Sequence, residues 1–181
     1  MHREYELYEQ LPDGSPMWRG HVTGLQNVRL KILELAGTTK NMCFAMELGT
    51  QEVVARLNEH SVRQGARKQV VCQIAYDDKL VPARTALLRS HGYEAISIIG
   101  NESAKLILTV PQHVDLFMVG YATPDKERKD MVAWLRKHFP GTRVLALNPS
   151  RESALPEADY NVKMNDPEVW LSMVSTALST S

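Results

Sequence analysis

The stretch Val70-Val71-Cys72-Gln73-Ile74-Ala75-Tyr76-Asp77-Asp78 runs from apolar residues into two adjacent carboxylates. A short apolar run of this kind is typical of a strand that is buried on both faces. Similar runs alternate with helical patterns down to the C-terminus; we predict strands at 70–75, 95–99, 114–119, 143–147 and 160–163, and helices at 80–90, 102–108, 125–138 and 167–178. This alternation predicts a doubly wound α/β fold whose five-stranded parallel sheet is covered by helices.

The carboxyl ends of the predicted strands define a candidate site, because ligands of open parallel sheets bind there. The residues at these ends are Tyr76, Asp77, Asp78, Gly100, Gly120, Asn148 and Lys163. Two adjacent carboxylates suit a hard divalent cation. They are equally typical of a solvated turn beside a helix N-terminus, where negative charge is favoured.

A different pattern precedes this α/β region. Residues 1–58 predict two strands, a helix and two more strands, with a tight turn at Pro12-Asp13-Gly14-Ser15-Pro16 between the first two strands. Thr23-Gly24-Leu25-Gln26 has the form of a helix capping box, and Gly37 is the expected C-cap of that helix. We therefore predict a small ββαββ domain of unknown function at 1–58, a polar linker at 59–68 and the α/β domain at 69–181.

Composition excludes several classes of function. Lys and Arg total 21 and so do Asp and Glu, which gives a net charge of zero and no electrostatic attraction for nucleic acid. No apolar run reaches the roughly 18 residues that span a bilayer, and the N-terminus lacks an apolar signal-peptide core. We expect a cytoplasmic protein with no nucleic-acid or membrane partner; the oligomeric state is left open. No phosphate-binding glycine loop, nucleophile elbow or zinc-ligand spacing occurs, so an enzyme is not expected.

Several short motifs in the C-terminal region occur in an order that resembles a known family. They are Asp77-Asp78, Leu87-Leu88-Arg89-Ser90-His91-Gly92-Tyr93, Asp115-Leu116-Phe117-Met118-Val119, Pro124, Ala158-Asp159-Tyr160-Asn161-Val162-Lys163 and Asp166-Pro167-Glu168. With this order and spacing, residues 69–181 resemble a response-regulator receiver domain of the CheY-like, flavodoxin-like type. In that family an acidic pair binds Mg²⁺, and an aspartate that ends the third strand accepts a phosphoryl group from a histidine kinase. A Thr or Ser and a lysine then bind the phosphoryl oxygens.

The resemblance places different residues at the positions of this chemistry. Gly120 falls on the phosphoacceptor position and Asn148 on the hydroxyl position, whereas Tyr160 and Lys163 match the aromatic and lysine positions. Without a third carboxylate from the third strand, the solvated-turn interpretation of the acidic pair is preferred, and neither a metal nor another cofactor is expected. Asp77, Asp78, Gly120, Asn148, Tyr160 and Lys163 thus form a vestigial receiver pocket with no catalytic residue.

The segment between the fourth and fifth strands is also short for this family. Only residues 149–162 are available, and Pro149 and Pro156 both disfavour a helix interior. The sequence therefore predicts a reduced fourth helix in the receiver-like domain.

These observations favour a degenerate receiver, a pseudo-receiver, in bacterial two-component, phosphorelay-type signalling. Such a protein acts through contacts with a signalling protein partner and independently of phosphorylation. The alternative is a sensor that binds a nucleotide or metabolite in the vacated pocket.

Overall fold

The computed structural model describes residues 3–59, 68–149, 154–164 and 166–179. The chain forms two compact units, of which the first combines Met1–Lys68 with Glu102–His113 and the second combines Gln69–Asn101 with Val114–Ser181. The boundary at residue 68 coincides with the end of the predicted linker, most of which lies outside the described residues. The segment 102–113, which the sequence groups with the α/β domain, belongs to the first compact unit.

The first unit contains an antiparallel four-stranded sheet and one long helix. Its elements are β1 (Glu4–Gln10), β2 (Pro16–Thr23), α1 (Leu25–Thr38), β3 (Cys43–Glu47) and β4 (Glu52–Leu57), and the sheet order is β2-β1-β3-β4. The predicted ββαββ arrangement is therefore confirmed. The added segment covers the edge strand β4, where the Arg56 backbone N–H donates to Gln112 Oε1 at 3.3 Å.

The predicted caps of α1 are wrong. Thr23 is the last residue of β2, and Gly24 is the N-cap with a φ of 81° and no side-chain cap hydrogen bond. The positive φ, which glycine adopts without steric cost, turns the chain directly from strand into helix. Gly37 lies inside the helix, which ends at Thr38. Asn58 closes that end instead, since its Nδ2 donates to the carbonyls of Ala36 and Thr39 at 3.0 and 2.9 Å.

Glu9 is a buried carboxylate in this unit. It accepts hydrogen bonds from Thr39 Oγ1 at 2.7 Å, from Asn41 Nδ2 at 2.6 Å and from Arg19 Nε at 2.8 Å. These donors stabilise the charged form, so the hydrogen bonds from Thr39, Asn41 and Arg19 lower the pKa of Glu9 to about 2. The carboxylate therefore joins β1, β2 and the segment that follows α1.

This lowered pKa predicts a pH-dependent stability. The folded-state pKa of about 2 lies below the ordinary value of 4.5, so the stabilising contribution is complete above pH 4.5 and is lost as the pH falls toward 2. We expect the free energy of unfolding of the wild type to fall over this range more steeply than that of Glu9→Gln, as measured by thermal denaturation. Glu34→Gln is the matched control, because Glu34 forms only an exposed pair with Lys31. Parallel curves for wild type and Glu9→Gln would contradict the assignment.

The second unit is built on a parallel five-stranded sheet. Its strands are β5 (Val70–Ala75), β6 (Glu94–Ile99), β7 (Leu116–Val119), β8 (Arg143–Asn148) and β9 (Tyr160–Lys163), in the order β6-β5-β7-β8-β9. Its helices are α2 (Val81–Ser90), α4 (Asp125–His138) and α5 (Pro167–Ser179); α3 (Asn101–Ile107) follows β6 along the chain and lies, except for Asn101, in the first unit. The predicted doubly wound parallel fold is confirmed.

The core of this unit joins the sheet to its helices. Leu116 and Met118 of β7 are fully buried and belong to the same cluster as Trp170 and Val174 of α5. Strands β5 and β7 are buried at every position, which is why the sequence shows apolar runs there, whereas the edge strand β9 exposes Asn161 and Lys163. No helix among the described residues is long and apolar enough to span a bilayer.

The connection between β8 and β9 is short. Residues 149 and 154–159, the described part of this connection, form turns and extended chain without a helix. Its structure is fixed by Asn161, whose Nδ2 donates to the Leu155 carbonyl at 2.9 Å and whose Oδ1 accepts from the Leu155 N–H at 2.8 Å. The predicted reduced helix falls within this connection, of which residues 150–153 lie outside the described residues.

Candidate functional site at the carboxyl ends of the parallel strands

Gly120 lies at the point where the direction of sheet winding reverses. It follows β7, whose neighbour β5 connects onward to β6 on the opposite side. The Gly120 N–H donates to the Ile74 carbonyl at 2.9 Å, and a Cβ added at Gly120 would stand 3.2 Å from the same oxygen. The backbone of β7 therefore approaches β5 closely at the topological switch point, where doubly wound folds bind their ligands.

The two adjacent carboxylates lie in a turn at the end of β5. Asp77 is half-buried and caps a single 3-10 turn, Asp78–Leu80, by accepting the Lys79 N–H at 3.0 Å. Asp78 is exposed. Within the described ranges, no group of three or more His, Cys, Asp or Glu side chains could hold a metal ion. Asp77 thus caps a turn, and the expectation that the pair binds no metal stays a prediction.

Arg128 of α4 connects the ends of β7 and β8. Its side chain is fully buried; Nε donates to the Gly120 carbonyl at 2.9 Å, and Nη2 donates to the Leu147 carbonyl at 2.8 Å and to Asn148 Oδ1 at 2.5 Å. Nη1 donates to Asp125 Oδ1 at 2.9 Å. A buried arginine is rare unless its donors are satisfied, and here two backbone carbonyls and two side-chain oxygens supply the acceptors.

Asn148 extends this network toward β9. It is 3% exposed, and its Nδ2 donates to Asn161 Oδ1 at 2.9 Å while its Oδ1 accepts from Arg128. Because Asn161 holds Leu155, the amide of Asn148 links the α4 arginine to the whole connection between β8 and β9. The residue at the predicted hydroxyl position is thus a structural bridge.

Arg84 of α2 lies on the other side of Gly120. Only 7% of this residue is exposed, and its Nη1 would stand 3.6 Å from a Cβ at position 120. The guanidinium lies over the Tyr121 ring at 5.3 Å from the centroid, and Nη2 donates to Met164 Sδ at 3.6 Å. Burial lowers the pKa of Arg84, and Tyr121 and Asp77 oppose this shift. The region around Gly120 at the carboxyl ends of β5 and β7, called the crevice below, therefore contains a buried cation.

The remaining two predicted residues, Tyr160 and Lys163, lie in β9. Tyr160 is half-buried and packs against the core cluster. Lys163 is exposed, and within the described part of the chain no ion pair joins it to Asp77 or Asp78. The structure therefore brings Gly120 and Asn148 together through Arg128, whereas Lys163 takes no part in that network.

The hydroxyl groups that follow Gly120 are already engaged. Thr123 Oγ1 donates to Glu127 Oε2 at 2.5 Å, and the Tyr121 ring lies beneath the Arg84 guanidinium. Nearby, Tyr76 Oη donates to Asn101 Oδ1 at 2.7 Å, and burial raises the pKa of Tyr76. A protonated hydroxyl is a weak nucleophile unless an adjacent base activates it, and the Glu127 carboxylate stands in that position beside Thr123.

Sequence reasoning missed both buried arginines, although a signal for them exists. The buried residues of α2 are Val81, Arg84, Thr85 and Leu88, and those of α4 are Arg128, Met131, Val132 and Leu135. Each arginine thus occupies a position of an inward-facing helical stripe with the spacing i, i+3, i+4, i+7. A charged residue on such a stripe, near the beginning of a helix that follows a strand end, indicates a buried polar site.

Similar proteins are found among solved structures. No family model and no curated protein matches the sequence. Among solved structures, a CheY-like receiver domain protein from Methanospirillum hungatei JF-1 is 16% identical with a TM-score of 0.55, over 63% of this chain and 96% of that one. A LuxR family DNA-binding response regulator from Silicibacter pomeroyi is 22% identical with a TM-score of 0.54, over 62% and 93%.

A third similar structure is a complex of the histidine kinase ThkA with the response regulator TrrA. The matching chain of that complex is 16% identical to this chain, with a TM-score of 0.53, over 61% of this chain and 98% of the matching chain. The parallel sheet and its helices therefore have the fold of a CheY-like response-regulator receiver domain, as the sequence resemblance implied.

Proposed function

We propose that this protein is a response-regulator-like signalling protein of a two-component, phosphorelay-type system, and that it acts through protein contacts without aspartyl phosphorylation. The observation that carries the proposal is Gly120 at the phosphoacceptor position. Both backbone groups of Gly120 are engaged, the N–H with Ile74 and the carbonyl with Arg128. Glycine supplies no nucleophile, and the chain is not an enzyme in this proposal.

The charges around Gly120 support the same proposal. Phosphoryl transfer to a carboxylate depends on cations that neutralise the transferring group and on an in-line nucleophile. Here Arg84 contributes a cation, but Asp77 Oδ1 caps a turn and Lys163 is exposed. The crevice is therefore arranged to hold β5, β7 and β8 together, and its chemistry does not favour acceptance of a phosphoryl group.

In this proposal the receiver-like unit binds a protein partner. One structural neighbour is solved with a histidine kinase, which shows that this fold can bind a signalling protein. In our chain the connection that carries the fourth receiver helix is shortened to a turn over its described residues. In this proposal the partner therefore binds the chain without a full fourth receiver helix.

We predict that incubation with acetyl phosphate and Mg²⁺ leaves the intact mass of the protein unchanged. A conventional receiver domain treated in parallel is the positive control, and both are measured by mass spectrometry at neutral pH before the acyl phosphate hydrolyses. Stoichiometric phosphate mapped to any residue around Gly120, including Tyr121 or Thr123, would refute the proposal.

The alternative function, a small-ligand sensor, draws on the buried cation. Arg84 forms no ion pair among the described residues, so an anionic metabolite is the ligand class that it would favour. A thermal-shift series with nucleotides and simple anions separates the two functions. Saturable stabilisation of the wild type that is lost in Arg84→Met would establish the sensor. Equal thermal shifts of the wild type and Arg84→Met support action through protein contacts.

A further inference from the structure

The residues of the crevice do not fit the metal that the receiver fold implies. A hard divalent cation requires several oxygen ligands, and carboxylates dominate such sites. In this chain Asp77 already accepts the Lys79 N–H, Asp78 is exposed, and Gly120 supplies no carboxylate. The third ligand position is therefore missing, and the first is held in a turn.

Arg84 stands beside the position of that missing carboxylate. Its Nη1 lies 3.6 Å from where a Cβ at residue 120 would be, which is ordinary van der Waals contact. The Asp77 charge acts favourably on this guanidinium. A buried cation requires nearby negative charge or polarisable partners, and here it has Asp77, the Tyr121 ring and Met164 Sδ.

We propose that the Arg84 guanidinium is the resident cation of this crevice and that it excludes the divalent metal which receiver domains bind there. This inference rests on the proposed function and explains how the crevice remains charge-compensated without a metal. A second cation placed between Asp77 and Gly120 is repelled by the guanidinium at short range and in a poorly solvated environment. Asp77 acts on this guanidinium electrostatically, and no ion pair joins the two side chains among the described residues.

The proposal has a direct consequence for reconstructing the phosphoacceptor. The side chain of Gly120→Asp begins 3.6 Å from Arg84 Nη1, so the new carboxylate pairs with the guanidinium. A paired carboxylate is not available as a metal ligand. A tight metal site therefore requires two changes, a carboxylate at position 120 and the removal of the positive charge at position 84, whereas the second change alone permits weak binding to Asp77 and Asp78.

The test compares Mn²⁺ binding by four full-length proteins: wild type, Gly120→Asp, Arg84→Met and the double variant. Binding is measured by titration calorimetry and by paramagnetic broadening of the amide signals of residues 76–79. We expect the double variant to bind Mn²⁺ at least about tenfold more tightly than Gly120→Asp alone. Equal affinities of these two variants, or no gain of the double variant over wild type, would overturn the proposal.

A matched control separates the role of Arg84 from a general loss of positive charge. Arg89 lies on the same helix and is exposed. Gly120→Asp combined with Arg89→Met removes one positive charge from α2 without opening the crevice. We expect its Mn²⁺ affinity to equal that of Gly120→Asp alone. An affinity equal to that of the Arg84 double variant would contradict the assignment.

A second measurement does not depend on a reconstructed metal site. A Cβ at position 120 lies 3.2 Å from the Ile74 carbonyl, so every substitution there carries the same steric cost, which Gly120→Ala measures. Beyond that cost, we expect Gly120→Asp to have a higher Tm than Gly120→Asn when Arg84 is present. In the Arg84→Met background we expect the reverse order, because the carboxylate is then buried without a cation. An unchanged order in the two backgrounds would refute the pairing.

A third comparison leaves position 120 unchanged and so remains available if its variants do not fold. At equal Mn²⁺ concentration, we expect stronger broadening of the amides of residues 76–79 in Arg84→Met than in wild type. Equal broadening would overturn the exclusion of metal by Arg84. None of these outcomes depends on phosphorylation, so the inference and the proposed function can fail separately.

Discussion

Arg128→Met is expected to reduce the free energy of unfolding of the second unit by about 3–5 kcal/mol. The side chain is fully buried and donates to the Gly120 and Leu147 carbonyls and to Asn148 Oδ1. Methionine fills a similar volume but donates no hydrogen bond, so these acceptors remain buried and unpaired. Each orphaned acceptor costs about 1–3 kcal/mol.

The large expected effect depends on the chemical nature of the acceptors. When a buried ion pair is replaced by apolar residues, both charges disappear and the change can be neutral or stabilising. Two of the four acceptors of Arg128, the Gly120 and Leu147 carbonyls, are backbone groups that no side-chain substitution removes. Denaturant-induced unfolding measures the change, followed by the fluorescence of Trp170, which is buried in the same unit.

Arg136→Met is the matched control for this prediction. Arg136 lies on the same helix and is 32% exposed, with an ion pair to Asp159 and a hydrogen bond from Nε to the Glu157 carbonyl at 2.9 Å. Partly exposed pairs contribute little, so we expect a loss of less than about 1 kcal/mol. If the two substitutions destabilised the unit equally, the buried network would have no special role at the strand ends.

The elements that the sequence predicted best are those with a purely local pattern. Strands β5 and β9 and helix α4 have the bounds that the sequence predicts, because apolar runs and helical stripes are visible within each segment. The caps of α1 were predicted wrongly because a Thr-x-x-Gln pattern is compatible with a cap but does not exclude an extended Thr23. Here strand pairing extends to Thr23 and determines where the helix begins.

Other features depend on contacts between distant parts of the chain. The grouping of Glu102–His113 with the first unit rests on pairs such as Arg29 Nε with Thr109 Oγ1, which are 80 residues apart. No local pattern encodes such a pair. The sequence could therefore assign a helix at 102–108 but not the unit to which it belongs.

Some residues of the candidate site could likewise be predicted from the sequence, and others could not. The resemblance identified Gly120 and Asn148 as the altered positions, and the structure places both in one network. Arg84 and Arg128 were missed because charged residues on helices are usually solvated, and only their position on an inward stripe distinguishes these two. Lys163 matches the family motif, yet its exposure depends on the path of the chain around β9, which the motif does not determine.

The second large effect is expected at Asn148, where two isosteric substitutions separate hydrogen bonding from charge. Asn148→Leu removes the acceptor for Arg128 Nη2 and the donor to Asn161, and we expect a loss of about 2–3 kcal/mol. Asn148→Asp keeps the acceptor and adds a negative charge beside the guanidinium. A charge-assisted hydrogen bond offsets the lost donor, so we expect a loss of less than about 1 kcal/mol.

In the Arg128→Met background the order of these two variants should reverse. Aspartate at position 148 is then a buried charge without its cation, whereas leucine packs against methionine without an unpaired group of its own. Denaturant-induced unfolding of the six proteins, each residue at position 148 in both backgrounds, gives the coupling free energy directly. A coupling near zero would mean that Asn148 and Arg128 stabilise the strand ends independently. A coupling of more than about 1 kcal/mol that favours aspartate only when Arg128 is present would establish that the two side chains act as one unit.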